Sequence, residues 1–313
     1  MSEERQLLRE TVAALVDKHA SPAAVREAMA SERGYDESLW KLLSEQVGAA
    51  ALVVPEELGG AGGDLADAAV VLEELGKALV PTPLLGTTLA ELALLAADQA
   101  DAEAIERLAE GTSIGTVVFD PGYVVNGDVA DVVVAADGTR LTRWTTVTAH
   151  RVDTMDLTRR LARVEPKDTA DIGADPGLAD TAAILLAAEQ IGAATKCLDL
   201  TVEYTKDRVQ FGRPIGSFQA LKHRMADLYV AVQSARAVVN DAIAEPSQTS
   251  AALARVAASE AFSKVAAEAI QMHGGIAITW EHDIQLYFKR AHGSAQLLGP
   301  PRDHLRRLES EVF

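Results

Sequence analysis

The sequence has one cysteine, few aromatic residues and no long apolar run. Cys197 cannot form an internal disulfide, and its helical surroundings favour a small buried thiol over a catalytic one. No apolar run reaches the roughly eighteen residues of a membrane span, and the charged start MSEERQLLRE lacks the apolar core of a signal peptide. We therefore expect a cytoplasmic protein with no membrane partner.

Basic residues are also scarce, because 29 Lys and Arg stand against 46 Asp and Glu, for a formal net charge of −17. Nucleic-acid-binding proteins usually gather positive charge on one face, so DNA and RNA are not expected partners. With 313 residues, of which 48% are hydrophobic, the chain can bury a large core. Its length predicts two or three structural units.

The first part of the chain, residues 1–112, has apolar residues at three- and four-residue spacing and predicts a helical domain. Ser21 followed by Pro22 is typical of a helix start. A glycine-rich stretch over 55–63 interrupts the pattern, and a further helix is predicted to begin near Asp64.

The residue pattern changes twice in the rest of the chain. Residues 113–175 contain short Val- and Thr-rich runs separated by turn signals, which predict a small β domain. Residues 176–313 return to helical periodicity, and the stretches 179–207, 218–243 and 248–272 are long enough to form an antiparallel bundle. The predicted fold is mostly α with a small β domain, in the order helices, strands, helices.

One segment that carries chemistry is YTKDRVQFGRPIGSFQALKHRMADLY, in which one helix ends and another begins near Phe218. Glycine and proline suit any helix connection, but such a connection does not call for Arg208, Gln210 and Phe211 together. Arginine can pair with a phosphate, and phenylalanine can pack against an aromatic base. The segment suits either a plain connection or a nucleotide site.

A second segment, AIQMHGGIAITWEHDIQLYF, runs from a long helix into His273, Gly274 and Gly275. Consecutive glycines are common as a left-handed cap at a helix end. They also allow a phosphate to approach bare backbone amides, and Gln271 lies close enough in sequence to bind the same ligand. Both interpretations stay open on the residues alone.

Together, RVQFGRPIGSFQALKHRMADLY and QMHGGIAITWEHD resemble the C-terminal signature of the acyl-CoA dehydrogenases. The stretch VPEELGGAGGDLADAAVVLEELGKAL resembles the N-terminal helical domain of that family, so the resemblance runs almost end to end. It implies a helical N-terminal domain, a small β middle domain and a C-terminal four-helix bundle. Helical periodicity and the Val- and Thr-rich runs alone predict the same order of domains.

The resemblance also implies FAD as the cofactor, bound across a subunit interface. The flavin ring would lie on the β domain of one protomer, and the adenine and pyrophosphate end on the neighbour's bundle. By motif, Arg208 would meet the pyrophosphate and Phe211 the adenine. The full set of implied cofactor-binding residues is Arg208, Gln210, Phe211, Ile215, Gln219, Gln271, Gly274 and Gly275.

The middle of the chain departs from the family pattern. The family's β domain carries a Thr-Glu-Pro-Gly-Ala-Gly-Ser-Asp-like segment and a Trp-Ile-Thr-Asn-like strand that meet the flavin ring. Neither occurs between Gly111 and Asp175, where FDPGYVVNGDV is a turn-rich substitute and Trp144 suits a half-buried strand position. The β domain is therefore predicted to be reduced, without a complete flavin-ring pocket.

The catalytic base is missing as well. Removal of the α proton of an acyl thioester needs a carboxylate in a dry cleft. The two family positions for that glutamate fall at Gly299 and about Ala182, and neither residue can take a proton. Glu281 is a nearby carboxylate, but a charged residue after a helix end is more often a solvated cap. No catalytic residue is assigned.

Retained FAD residues, a reduced β domain and a missing base resemble one group within the family. These are the short subunits of heteromeric acyl-CoA dehydrogenases, which actinobacteria use on CoA thioesters of steroid side chains or rings. The resemblance implies an α2β2 assembly with a longer catalytic subunit, an acyl-CoA substrate and an electron-transfer flavoprotein. Two alternatives stay open: a self-sufficient homo-oligomeric dehydrogenase with a relocated base, and a flavin-free scaffold.

Overall fold

The computed structural model describes residues 2–312, and the side chains of residues 2–309. Its elements follow the predicted order of helices, strands and helices. The predicted helix start near Asp64 is confirmed, because the Asp64 carboxylate accepts from the amides of Ala66 and Asp67 and forms a capping box. The N-terminal helices are α1 Glu3–His19, α2 Pro22–Ala30, α3 Glu37–Leu42, α4 Leu65–Lys77, α5 Leu84–Leu95 and α6 Ala102–Ala109.

The middle strands form one five-stranded sheet in the order β1, β3, β4, β5, β2. β1 and β3 are parallel and the other neighbours are antiparallel. β4 and β5 are longer than the short runs of the sequence predict, because three register shifts bend the ribbon without ending it. Trp144 is half-buried on β4, as predicted. The strands are β1 Gly115–Val118, β2 Val124–Val125, β3 Val132–Ala136, β4 Arg140–Val152 and β5 Leu161–Ala174.

The C-terminal bundle is built on three long helices whose predicted bounds agree with the structure to within one residue. Between the first two lies a small hairpin of β6 Val209–Gln210 and β7 Arg213–Pro214. The helices are α7 Leu178–Asp207, α8 Gln219–Ala244, α9 Gln248–His273, α10 Ile284–Gln296 and α11 Pro301–Val312. No helix in the described part of the chain is long and apolar enough to cross a membrane.

Two glycines bring α4 and α7 into close contact and so join the N-terminal helices to the bundle. A Cβ on Gly192 would lie 1.9 Å from the carbonyl oxygen of Glu73, and one on Gly76 would lie 2.3 Å from that of Glu189. Any side chain at either position would therefore force the two helices apart.

The prediction of a small buried thiol agrees with the structure, since Cys197 is fully buried in α7 and burial raises the pKa of its thiol.

Glu91 is a buried carboxyl group on α5 that no described residue neutralises. Its side chain is 0% exposed, and neither oxygen has a hydrogen-bond partner among the described residues. Burial raises its pKa well above the ordinary value for glutamate. The folded protein therefore holds the Glu91 proton more tightly than the unfolded chain does.

We predict that Glu91→Gln makes the protein more stable at pH 8 by about 1 to 3 kcal/mol. The unfolded chain releases this proton above a pH of about 4.3, whereas the folded chain retains it. Stability is therefore lost as the pH rises from that value through the raised pKa of the folded state. Urea unfolding at pH 5 and pH 8 checks this, with the exposed α6 residue Glu106→Gln as control. An unchanged pH dependence in Glu91→Gln would contradict it.

Candidate functional site

The bundle topology brings the two motif segments to one end of the molecule. α8 reverses direction between α7 and α9, so α7 and α9 end on the same side. The Tyr204 ring stacks on the His273 ring with 4.2 Å between centroids, and its hydroxyl donates to the His273 carbonyl at 3.2 Å. Arg208 lies one helical turn after Tyr204, and Gly274 comes directly after His273. We call this surface the bundle end.

A strained hairpin presents Phe211 to solvent at the bundle end. Phe211 and Gly212 have φ angles of +54° and +76°, the combination of a two-residue type I′ turn. A left-handed conformation is unfavourable for phenylalanine, so the β6–β7 pairing must hold it. Phe211 is 92% exposed, and its ring lies perpendicular to the Phe218 ring with 6.1 Å between centroids. An aromatic ring held in this way suits contact with a planar base.

Arg208 and Gln271 are the polar groups of the bundle end that remain available to a ligand. Both side chains are exposed, and neither makes a hydrogen bond or ion pair with any described residue. Arg213, by contrast, stacks its guanidinium 3.9 Å above the Phe218 ring. Arg208 is therefore a solvated cation with its donors free for a phosphate.

Three other predicted contact residues follow Arg208 in the chain. The Ile215 amide donates to the Arg208 carbonyl at 2.8 Å, which ties the first turn of the connection to the end of α7. Gln219 lies at the start of α8, 3.0 Å from the His223 ring, and Gln210 is exposed on β6. All three residues belong to the connection between α7 and α8 or to the first residue of α8.

The glycine pair supplies open backbone beside them. Gly274 has φ +65° and ψ −143°, a conformation that side chains strongly disfavour. No atom lies within 4 Å of where a Cβ would stand on Gly274 or Gly275. A phosphate can therefore reach this backbone without a steric clash. An exposed ring, a free guanidinium and open glycine backbone fit the adenine and pyrophosphate end of FAD.

A second feature, which the sequence did not predict, is a cavity of about 630 Å³ where the three structural units meet. Its walls come from α5, from the β-unit stretches around 116–125 and 154–161, and from the bundle around 179 and 293–299. The apolar walls include Leu85, Leu89, Val117, Phe119, Leu161 and Leu297. Volumes of this size are typical of small-molecule sites. We call it the interdomain cavity.

A carboxylate that acts as the base on a substrate in the interdomain cavity would have to line its wall. Gly299 lines it, with φ +89°, whereas Ala182 is fully buried in α7. Glu281 is exposed and does not line it. The carboxylates on its wall are instead Asp120 and Asp156. Sequence reasoning read FDPG, which contains Asp120, only as a turn, and no motif marked Asp156.

A buried ion cluster forms one wall of the interdomain cavity. The Glu189 carboxylate pairs with Arg159 at 2.5 Å and also with Arg290, while the Arg290 Nε lies 2.9 Å from Asp156 Oδ2. Burial by itself would raise the pKa of Glu189, but the charges of the two arginines outweigh it and the pKa is lowered. Burial lowers the pKa of Arg159. The cluster joins the β unit to α7 and α10.

Arg255 extends this cluster toward the end of α10. Its guanidinium donates to the carbonyl oxygens of Ser294 and Leu297, the latter at 2.6 Å, and to Gln190 at 2.9 Å. Burial lowers the pKa of Arg255 to about 10. Because it satisfies carbonyls that the helix end leaves unpaired, Arg255 fixes the chain that leads to Gly299.

We predict that Glu189→Gln destabilises the protein by about 3 to 5 kcal/mol, because it leaves buried arginines short of a carboxylate. Glu203 on the same helix pairs with Lys206 at the surface, so Glu203→Gln should cost less than about 1 kcal/mol. Urea unfolding of both variants measures the difference. Equal losses would show that the buried cluster contributes no more than a surface ion pair.

Comparison with known protein families gives two matches that together span most of the chain. Residues 2–112 match the family described as "Acyl-CoA dehydrogenase, N-terminal domain". Residues 177–306 match "Acyl-CoA dehydrogenase, C-terminal domain". The stretch between the two matches holds the five-stranded sheet.

Individual relatives agree. The chain is 76% identical to "Acyl-CoA dehydrogenase IpdE2" of Mycolicibacterium smegmatis, over 100% of both chains. It is 73% identical to the protein of the same name from Mycobacterium tuberculosis, over 99% of this chain and 98% of that one. Among solved structures, the ChsE4-ChsE5 complex of Mycobacterium tuberculosis contains a chain with TM-score 0.90 and 27% identity, over 100% of this chain and 98% of that one.

Proposed function

Because the chain belongs to the acyl-CoA dehydrogenase family, we propose that it completes the FAD site of a longer partner subunit in a heteromeric enzyme. The reaction is α,β-dehydrogenation of an acyl-CoA thioester. The observation that carries the proposal is the bundle end, where Arg208, Phe211 and Gln271 are exposed and unused by the chain itself.

Each group at the bundle end has one role in this proposal. Arg208 pairs with the pyrophosphate, and the Phe211 ring packs on the adenine. Gln271 and the open backbone of Gly274 and Gly275 hold phosphate oxygens. FAD supplies the hydride acceptor for the dehydrogenation. None of these residues removes a proton, so the chain contributes binding and orientation.

The absence of a glutamate at either family position in this chain supports a longer partner subunit that supplies the base. Gly299 stands on the cavity wall at a family position for the glutamate, and Ala182 is buried at the other. Under this proposal a carboxylate of the partner subunit removes the α proton. A solved relative is a complex of two differently named chains, which favours the same arrangement here. The proposed assembly is α2β2, in the cytoplasm, with an electron-transfer flavoprotein as acceptor.

The substrate class follows from a relative's description. A solved structure with TM-score 0.91 and 26% identity, over 98% of this chain and 97% of that one, is described as the Tcur3481-Tcur3483 steroid ACAD. We therefore propose a CoA thioester derived from a steroid side chain or ring as the substrate. A longer partner would build most of the acyl cleft, so the acyl preference resides mainly there.

One observation favours a second candidate, a self-sufficient dehydrogenase with a relocated base. Asp120 lies on the wall of the interdomain cavity, where its carboxylate can face a bound substrate. Its Oδ1 accepts from the Gly122 amide at 2.8 Å, which fixes the carboxylate at that wall. Under this candidate, Asp120→Asn would abolish activity of the chain alone.

We predict that Arg208→Ala and Phe211→Ala each lower the FAD content of the complex co-purified with its longer partner at least tenfold at limiting FAD. Each loses one contact with the cofactor, while the fold is retained because both side chains are exposed. Flavin absorbance per complex measures the effect. Lys206→Ala is the matched control, because Lys206 is an exposed cation two residues from Arg208 that pairs with Glu203.

Three results would decide between the candidates. Loss of flavin in both variants but not in Lys206→Ala supports contact in trans. Full flavin content in all variants would support the flavin-free scaffold, in which this chain does not contact the flavin of the complex. Reduction of FAD by an acyl-CoA with the purified chain alone, lost in Asp120→Asn, would establish the self-sufficient enzyme and contradict the division of labour.

A further inference from the structure

The backbone of Gly274 has a conformation that needs support from the rest of the molecule. Its φ of +65° and ψ of −143° lie in a sparsely populated region of backbone space, which persists only where surrounding contacts hold it. No atom lies within 4 Å of where a Cβ would stand on Gly274 or Gly275, so nothing packs on the open side of this turn. The support has to come from the peptide groups that lead into it.

The peptide group that joins His273 to Gly274 is hydrogen-bonded at both of its ends. The Gly274 amide donates to the Ile270 carbonyl at the end of α9. The His273 carbonyl, which is the other half of the same peptide group, accepts from the Tyr204 hydroxyl at 3.2 Å. Carbonyls in the last turn of a helix have no partner within the helix. Tyr204, on α7, therefore fixes the peptide plane from which the glycine turn starts.

A stack of three rings keeps Tyr204 and His273 in place. The Tyr204 and His273 rings lie 4.2 Å apart at 23°. The His273 Nδ1 lies 2.8 Å from the Ala269 carbonyl, and because a carbonyl only accepts, this nitrogen donates. The His282 ring meets the His273 ring edge-on at 4.9 Å, and its Nδ1 accepts from the Ile284 amide at 3.2 Å. The rings join α7 to both ends of the segment 274–281.

The packing of Tyr204 does not require its hydroxyl. The side chain is half-buried, and a phenylalanine would fill the same space on the His273 ring. Among the described residues the hydroxyl has one partner, the His273 carbonyl. What the hydroxyl adds to the ring is therefore its bond to the peptide beside the glycine pair.

We infer that Tyr204 is a positioning residue for the phosphate end of FAD, an inference that rests on the proposed function. Its hydroxyl orients the His273–Gly274 peptide and, through it, the backbone of Gly274 and Gly275 that holds phosphate oxygens. Tyr204 acts through the backbone and not by contact with the cofactor. A backbone that is already ordered binds its ligand at a lower entropic cost.

Tyr204→Phe tests the hydroxyl in the complex of this chain with its longer partner. The ring stack is kept and one hydrogen bond is lost, so the fold is retained. Titration of the FAD-depleted complex with FAD, followed by flavin fluorescence, gives the Kd. We expect the Kd to rise about fivefold, the usual net effect of one neutral hydrogen bond. A Kd within twofold of the unaltered complex would overturn the inference.

Tyr287→Phe is the matched control, because Tyr287 makes the same kind of bond elsewhere. Its hydroxyl donates at 2.6 Å to the carbonyl of Lys77, the last residue of α4. Urea unfolding should show a similar loss of stability in both variants, while Tyr287→Phe leaves the Kd for FAD within twofold. If both variants weaken FAD binding equally, Tyr204 has only a structural role and the inference fails.

A double-mutant cycle tests whether Tyr204 acts through the glycine backbone. Gly275→Ala has room in the free chain but places a methyl group where a phosphate would approach. Tyr204→Phe should then change the Kd less than twofold in the Gly275→Ala background and still about fivefold in the Phe211→Ala background. Equal changes in the two backgrounds would contradict action through the glycines.

Two further variants keep the outcome decisive. Gly274→Ala strains the turn itself and should weaken FAD at least tenfold. Unchanged FAD binding in Gly274→Ala would leave nothing for Tyr204 to position, even if Tyr204→Phe failed to fold. Flavin loss in Arg208→Ala but not in Tyr204→Phe would refute the positioning role alone. Retained flavin in both would refute the proposed function as well.

Discussion

The paired charges of Glu189 with Arg159 and Arg290 hold the β unit against the C-terminal bundle. Glu189 lies on α7, Arg159 lies in the loop between β4 and β5, and Arg290 lies on α10. Ion pairs this deeply buried contribute little net stability compared with apolar packing, but they are costly to break. Their effect is to specify one arrangement of the β unit relative to the bundle. The interdomain cavity, with its wall at Arg159, exists because that arrangement is held.

The close approach of α4 and α7 complements this cluster from the other side. Gly76 and Gly192 let the two backbones meet, and Glu73 on α4 pairs with Arg9 of α1 and Arg236 of α8. The ends of α7 and α9 are held together by the Tyr204 ring, which stacks on the His273 ring and donates to the His273 carbonyl. The bundle end can therefore display a strained Phe211 and a free Arg208 as a preformed surface, which lowers the ordering cost of binding.

Much of the fold follows from local patterns that a reader of the sequence can see. The three long bundle helices, the cap at Asp64 and the half-buried Trp144 are set by periodicity, by side-chain capping and by β-branched runs. The full length of β4 and β5 was not visible, because their exposed polar residues interrupt the apolar alternation. Pairing with a neighbouring strand extended them where propensity alone would have ended them.

The sequence by itself determined the family, the order of the three units and the absence of a carboxylate at Gly299 and Ala182. It also marked the FAD-contact candidates, because a motif is a local string. Only the tertiary structure decided that Arg208 and Gly274 share one end of the bundle. It alone decided that Asp156, Arg159, Glu189, Arg255 and Arg290 form one cluster beside a cavity. Such clusters depend on contacts between residues up to 135 positions apart, and no local pattern encodes them.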